Sequence, residues 1–378
     1  MFYLDNAATT KMFDDVCEKA SSFLTESFYN PSAVYSPAVK VKREVIESKK
    51  VLLNALMVDD GDLIFTGSAT EANNTVIFSQ KLIQGKKYVF GAGEHPSVLE
   101  CAKELALKGY DVEFIPLNKT GCVDIEKYKN IIEKSNVAFV SIQHVSNETG
   151  AINPIAKLVK LARKYNKDVV FHSDGVQAFM KFKYSLIDLD VDFYTISAHK
   201  IYGPKGIGGL YIKKGLKVKP LVFGGGQENG LRSGTENVFG IVAFRLCVDR
   251  LLKEIDENYN KVLKMKASLL NELKILNIYY RIHGENCIPH TLNISLSAKV
   301  RGETLVHALE NRGVFVSTGS ACSANKHYNA TLESMEINKN EILSTVRISF
   351  SPYMYFDGKE IANIIKEELN KLEGRSYE

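Results

Sequence analysis

The runs Val137-Ala138-Phe139-Val140-Ser141-Ile142 and Asp168 to His172, with a helical stretch from Pro154 to Tyr165 between them, decide the fold. Both runs are short and apolar without clean alternation, as expected of strands covered on both faces by helices. The same unit repeats toward the N-terminus. Strands are predicted over Asp62–Thr66, Lys87–Phe90 and Val112–Pro116, and helices over Thr70–Ile83, Pro96–Leu107 and Ile125–Glu133. A further strand runs over Phe193–Ile196. Strand–helix alternation of this kind implies an α/β fold with a mainly parallel, doubly wound sheet.

The pattern changes after Gly234. Thr235 to Leu276 has apolar residues at threes and fours, which predicts one long helix or a pair. Shorter elements follow: a strand over Leu292–Leu296, a helix over Glu303–Asn311, a strand over Thr345–Phe350 and a helix over Asp357–Leu372. A length of 378 residues fits two domains. We expect a large domain over 12–250 and a smaller α+β domain formed by 1–11 and 251–378. A site at their junction is the natural expectation.

Composition excludes several classes. Basic and acidic residues number 48 and 44, too balanced to argue for nucleic acid or an anionic membrane. No run of about 18 apolar residues is present, so no transmembrane helix is expected. The start, Met1-Phe2-Tyr3-Leu4-Asp5-Asn6, has no basic or apolar leader, and a cytoplasmic protein is expected. The six cysteines, at 17, 101, 122, 247, 287 and 322, contain no C-x-x-C pair. In a reducing compartment they read as thiols without a metal or disulfide framework.

Polar groups gather where the predicted strands end. Lys200 follows the strand Phe193–Ile196, inside Ser197-Ala198-His199-Lys200-Ile201-Tyr202-Gly203-Pro204. A lysine there can form a Schiff base with an aldehyde cofactor, or can be a solvated residue in a surface turn. Asp174, in His172-Ser173-Asp174-Gly175-Val176-Gln177, can salt-bridge a protonated ring nitrogen or cap the next helix. Thr66-Gly67-Ser68-Ala69-Thr70-Glu71-Ala72-Asn73-Asn74 can cradle a phosphate at a helix start, or be an ordinary cap. Gly93-Glu94-His95-Pro96 offers a histidine for ring stacking or proton transfer. Ser141 to Gly150 ends a fifth strand in polar side chains.

Taken in order, these segments resemble the class V (fold type I) pyridoxal-phosphate enzymes, and among them the cysteine desulfurases of the NifS/IscS type. The resemblance spans essentially the whole chain. It begins at Tyr3-Leu4-Asp5-Asn6-Ala7-Ala8-Thr9-Thr10 and runs through Leu231-Arg232-Ser233-Gly234-Thr235-Glu236-Asn237 to Ser317-Thr318-Gly319-Ser320-Ala321-Cys322-Ser323. It implies that Lys200 carries pyridoxal 5'-phosphate and moves the substrate's α-proton. Asp174 would pair the ring nitrogen, Gln177 the ring oxygen, and His95 would stack on the ring. Ala69, Thr70, Ser197 and His199 would bind the phosphate, and Thr235 the phosphate of the other subunit. Asn147 and Arg347 would hold the substrate carboxylate, a task suited to the guanidinium fork. Cys322, in a mobile loop of the small domain, would attack the substrate sulfur. The other five cysteines match no motif and are expected in the core.

The implied activity is a homodimeric L-cysteine desulfurase that leaves alanine and a persulfide on Cys322. The sulfur would pass to an acceptor protein, such as an iron–sulfur scaffold or a tRNA-thiolation enzyme, with neither membrane nor direct nucleic-acid binding. Alternatives are a selenocysteine lyase, another class V aminotransferase, or a non-catalytic sulfur-transfer scaffold. The chain departs from the family at Gly175, where Ala is usual, at Met180, where Gly is usual, and at Phe239, where Pro is frequent. The Lys326–Glu336 stretch also matches only loosely, and its continuation through Asn340 lacks the usual glycine.

Overall fold

The computed structural model describes residues 1–58, 60–79, 82–319 and 329–375. The chain opens with β1 (Phe2–Tyr3), α1 (Asp14–Thr25) and α2 (Ser36–Ala55). The alternating region follows as β2 (Asp62–Thr66), α3 (Ala69–Ser79), β3 (Lys87–Gly91), α4 (Pro96–Leu107), β4 (Asp111–Ile115) and α5 (Ile125–Lys134). It continues through β5 (Val137–Ser141), α6 (Ile155–Tyr165), β6 (Val170–Asp174), α7 (Leu186–Leu189), β7 (Phe193–Ser197) and β8 (Gly208–Ile212). Next come α8 (Val238–Ile275), β9 (Arg281–His283), β10 (Thr291–Ser295), α9 (Gly302–Glu310) and β11 (Val314–Phe315). The last elements are α10 (Ala330–Ser334), α11 (Lys339–Leu343), β12 (Thr345–Ser349) and α12 (Gly358–Arg375).

Seven strands form the main sheet in the order β2-β8-β7-β6-β5-β3-β4. The pairs β7–β6, β6–β5, β5–β3 and β3–β4 are parallel, whereas β8 runs antiparallel to both β7 and β2. Strand β2 therefore points the same way as β7, and six carboxyl ends share one edge. That edge is where ligands bind in open α/β sheets. The doubly wound, mainly parallel sheet is as the sequence predicts; the reversed β8 is a strand the alternation did not reveal. Its two glycines, Gly208 and Gly209, weaken the strand signal.

Strand β6 begins two residues later than expected. Asn166 accepts the Asp168 backbone N–H at 3.0 Å, so a turn holds Asp168 out of the strand. The shift makes Asp174 the last residue of β6.

Between Val238 and Ile275 runs a single helix, not a pair, about 57 Å long. Its N-terminal buried face, from Ile241 to Leu251, joins the largest apolar cluster, shared with α2, α6 and the main sheet. Its C-terminal face, from Val262 to Leu273, joins a second cluster with Phe2, Leu4, Ile294, Ile348 and Ile365. The antiparallel sheet β12-β10-β9 and the parallel pair β1–β11 belong to this second cluster. Cys101, Cys122 and Cys247 are buried as expected, but Cys17 lies on the solvent face of α1 and Cys287 is half-buried. Cys17 occupies an exposed position between Val16 and Ala20, the two residues that α1 buries.

Candidate active site

A cleft of about 280 Å³ opens beyond the carboxyl ends of β2, β3, β5, β6 and β7. Ala69, Thr70, His95, Asn147, Asp174, Gln177, His199, Lys200 and Arg347 all line it. Ser197, the final residue of β7, is buried beneath it. Thr235 is exposed in the segment before α8 and does not line the cleft. Cys322 lies outside the described residues.

Lys200 ends a short 3-10 turn, Ala198–Lys200, that continues β7. Its Nζ donates to the carbonyls of Ala7 and Ala8, each at 2.6 Å. The following turn is tightly held. Tyr202 takes φ 65°, yet its N–H donates to Thr10 Oγ1 at 2.7 Å and its hydroxyl bonds Ser351 Oγ at 2.9 Å. A non-glycine residue persists in that left-handed conformation where surrounding contacts over-determine it. His199 sits against Thr9 Oγ1 at 3.2 Å, and burial followed by Lys200 and Lys205 lowers its pKa to about 4.

Asp174 is buried and accepts at both oxygens. Oδ1 takes the Val176 N–H at 3.0 Å and Oδ2 takes Asn73 Nδ2 at 2.8 Å. Gln177 donates from Nε2 to the Ala7 carbonyl at 3.0 Å and accepts from Lys181 Nζ at 2.5 Å. His95 caps α4, its Nδ1 accepting the Ser97 N–H at 3.2 Å and lying 2.8 Å from Ser97 Oγ. Burial lowers the pKa of His95, with Lys200 and Arg347 adding to the effect and Asp174 opposing it.

Arg347, in β12, is 2% exposed and crosses from the small sheet into the cleft. Its Nη1 donates to the Asn147 carbonyl at 3.0 Å and to Glu148 Oε1 at 3.2 Å, and Nη2 to Asp5 Oδ1 at 3.1 Å. Nε is buried without a partner, as is Asn147 Oδ1. A guanidinium lining a cleft suits an incoming carboxylate. Asp5 and Glu148 stand inside motifs quoted above, but the sequence gave them no task. Asn73 and Lys181 were likewise unassigned, because buried polar partners leave no periodic mark.

The donor set fits the cofactor that the resemblance implies. The Asp174 carboxylate, the Lys200 amine and the first turn of the eleven-residue helix α3 all line the one cleft. A Cβ on Gly208 would lie 2.7 Å from the Ser68 carbonyl carbon and 2.8 Å from the Ala69 nitrogen. Glycine there lets β8 pack directly against the Ser68–Ala69 turn, forming the floor of an anion cradle. Among the described residues no cluster of three metal-ligating side chains occurs.

The model of the aminotransferase class-V family matches residues 2–361. A cysteine desulfurase IscS of Dictyoglomus turgidum is 36% identical over 327 residues, 85% of this chain and 82% of that protein. Among solved structures, one titled a NifS-like protein superposes with a TM-score of 0.89 at 30% identity, covering 98% of this chain and 99% of its own. Another, titled SspA in complex with cysteine, gives 0.82 at 28% identity over 94% of this chain and all of its own.

Proposed function

The chain belongs to the aminotransferase class-V family, and from that membership we propose that it is a pyridoxal-phosphate-dependent L-cysteine desulfurase. The observation that carries the proposal is one cleft lined by Lys200, Asp174 and Arg347 together. A relative that is a cysteine desulfurase and a structural neighbour in complex with cysteine support cysteine as the substrate.

Each residue has a physical task. Lys200 would hold the cofactor, and its amine is placed to take the Cα proton of the substrate. Bound pyridoxal 5'-phosphate supplies the electron sink that makes this proton removable. Asp174 would pair the ring nitrogen, Gln177 would donate to the ring oxygen, and His95 would stack on the ring and assist proton transfer. Ala69, Thr70, Ser197 and His199 would hold the phosphate, and exposed Thr235 would reach the phosphate of a second copy in a homodimer. Arg347 and Asn147 grip the substrate carboxylate. Cys322 thiolate forms a bond to the substrate sulfur while the Cβ–S bond breaks, its electron pair staying with carbon. Reprotonation then gives alanine, and Cys322 keeps the persulfide for a sulfur-acceptor protein.

The two apolar clusters joined by α8 support a division into a domain over 12–250 and another formed by 1–11 and 251–378. No helix among the described residues is long and apolar enough to cross a membrane; action in the cytoplasm belongs to the proposal.

Mass spectrometry after addition of L-cysteine tests the assignment. One added sulfur atom on the peptide containing Cys322, absent from Cys322→Ser, is the expected result. Sulfur on another cysteine, or release of a keto acid in place of alanine, would overturn it.

A further inference from the structure

Asn73 stands in the middle of α3, fully buried, and reaches two groups that face the cleft from different elements. Its Nδ2 donates to Asp174 Oδ2 at 2.8 Å and to Ser97 Oγ at 2.9 Å. The amide can point only this way. Ionised Asp174 is acceptor-only, so it must meet the nitrogen. Oδ1 is then left buried without any partner. An acceptor abandoned in the core marks an amide retained for its two donors.

The direction of donation continues past Ser97. Its hydroxyl accepts from Asn73, so its own proton is directed to His95 Nδ1, 2.8 Å away. The Ser97 backbone N–H adds a second donor to the same nitrogen at 3.2 Å. With Nδ1 occupied as an acceptor, the neutral imidazole carries its proton on Nε2. The ring therefore offers an N–H donor from that nitrogen.

We infer that Asn73 is a positioning residue that fixes the Asp174 carboxylate and, through Ser97, the tautomer of His95. This rests on the cofactor and substrate roles proposed above for Asp174 and His95. The charged groups acting on the ring are Asp174 on β6, Lys200 after β7, Glu148 in the turn after β5 and Arg347 on β12. Ser97→Ala leaves all four in place, so a shift at His95 in that variant reports the hydrogen bonds to Nδ1 themselves.

The test uses holoenzyme labelled with [15N]histidine, with pH titration of the His95 ring nitrogens by NMR and of the bound cofactor by visible absorbance. Asn73→Leu should raise the His95 pKa by roughly one unit, because the freed Ser97 hydroxyl can then accept from Nδ1–H. It should also shift the cofactor absorbance, and lower kcat for cysteine about tenfold or more with KM nearly unchanged. Ser97→Ala should move His95 alone, since the bond from Asn73 to Asp174 survives. The double variant should titrate His95 like Ser97→Ala, because Asn73 reaches the ring only through that hydroxyl. If Asn73→Leu folds but leaves both the His95 titration and the absorbance in place, the assignment is overturned. Should the spectroscopic shifts occur in a protein that forms no persulfide, the desulfurase reading fails and the positioning role stands.

Discussion

A methyl group on Gly175 would lie 2.0 Å from two ring carbons of Tyr194. That ring is fully buried, and its hydroxyl is held 2.8 Å from His144 Nδ1. The alanine usual in the resembling family is therefore unavailable here, because the tyrosine ring already occupies its space. Gly175→Ala should cost about 1–3 kcal/mol by overpacking. Combined with Tyr194→Val the same change should cost much less, a coupling of at least about 1 kcal/mol in urea denaturation. Additive losses in the double variant would mean that the two sites do not compete.

Met180 shows the opposite departure. The family's usual glycine suits the φ of 58° that Met180 adopts. Relief of the left-handed conformation is worth about 1–2 kcal/mol. Loss of a buried methionine side chain costs about 2–5 kcal/mol, and Met180 is packed in the largest apolar cluster. Packing wins. Met180→Gly should lower the urea midpoint; a rise would show that strain dominates.

Lys181 is buried beside Lys200 in a small cavity that also touches His290. Burial, then Lys200 and Arg347, brings its pKa from 10.5 to about 7. Unfolded, the lysine keeps its proton to roughly pH 10.4. Between these values the unfolded chain binds more protons, so stability rises with pH. The cost is complete below about pH 7 and gone above about pH 10.4. Lys181→Met should thus stabilise most at about pH 6.5, with the gain shrinking toward about pH 9.5. Gln177 Oε1 loses its donor at every pH, about 1–3 kcal/mol, so the slope carries the information. A pH-independent difference would refute the buried charge.

Arg347 neutralises Asp5 and Glu148 before any substrate arrives. Arg347→Met strands both carboxylates and should cost about 3–5 kcal/mol. KM for cysteine should rise about a hundredfold, as the carboxylate loses a charge-assisted fork. Adding Asp5→Asn should recover part of the stability and none of the KM. Recovery of both would place substrate binding elsewhere.

How far the sequence could be read depended on the kind of interaction. Local patterns located β2, β5 and α6 within about two residues; the polar strand ends contain eight residues that do line the cleft, and the family resemblance added the ninth, Arg347. Residues 12–58, with α1 and α2, were left without elements, and β8 was hidden by its glycines. Gly175 and Met180 were visible as departures, but their causes were not. One is a ring nineteen residues away across the sheet, and the other a backbone angle. Asn73 and Lys181 act through partners far off in sequence, which no periodicity encodes.

The first ten residues are fastened to the last part of the chain. Phe2 pairs with Val314 and Asp5 with Ser349, and the Ala7 N–H is held by Ser349 Oγ at 2.8 Å. Ala7 and Ala8 in turn seat the Lys200 amine. During synthesis at about 5–20 residues per second, a ribosome makes Lys200 well before it makes Ser349. The opening segment therefore waits roughly 17–70 s for the strand that docks it. The lysine proposed to hold the cofactor has no finished seat until Ser349 has been made, so a nascent chain can assemble its sheet early but completes this site only after β12 docks the opening segment.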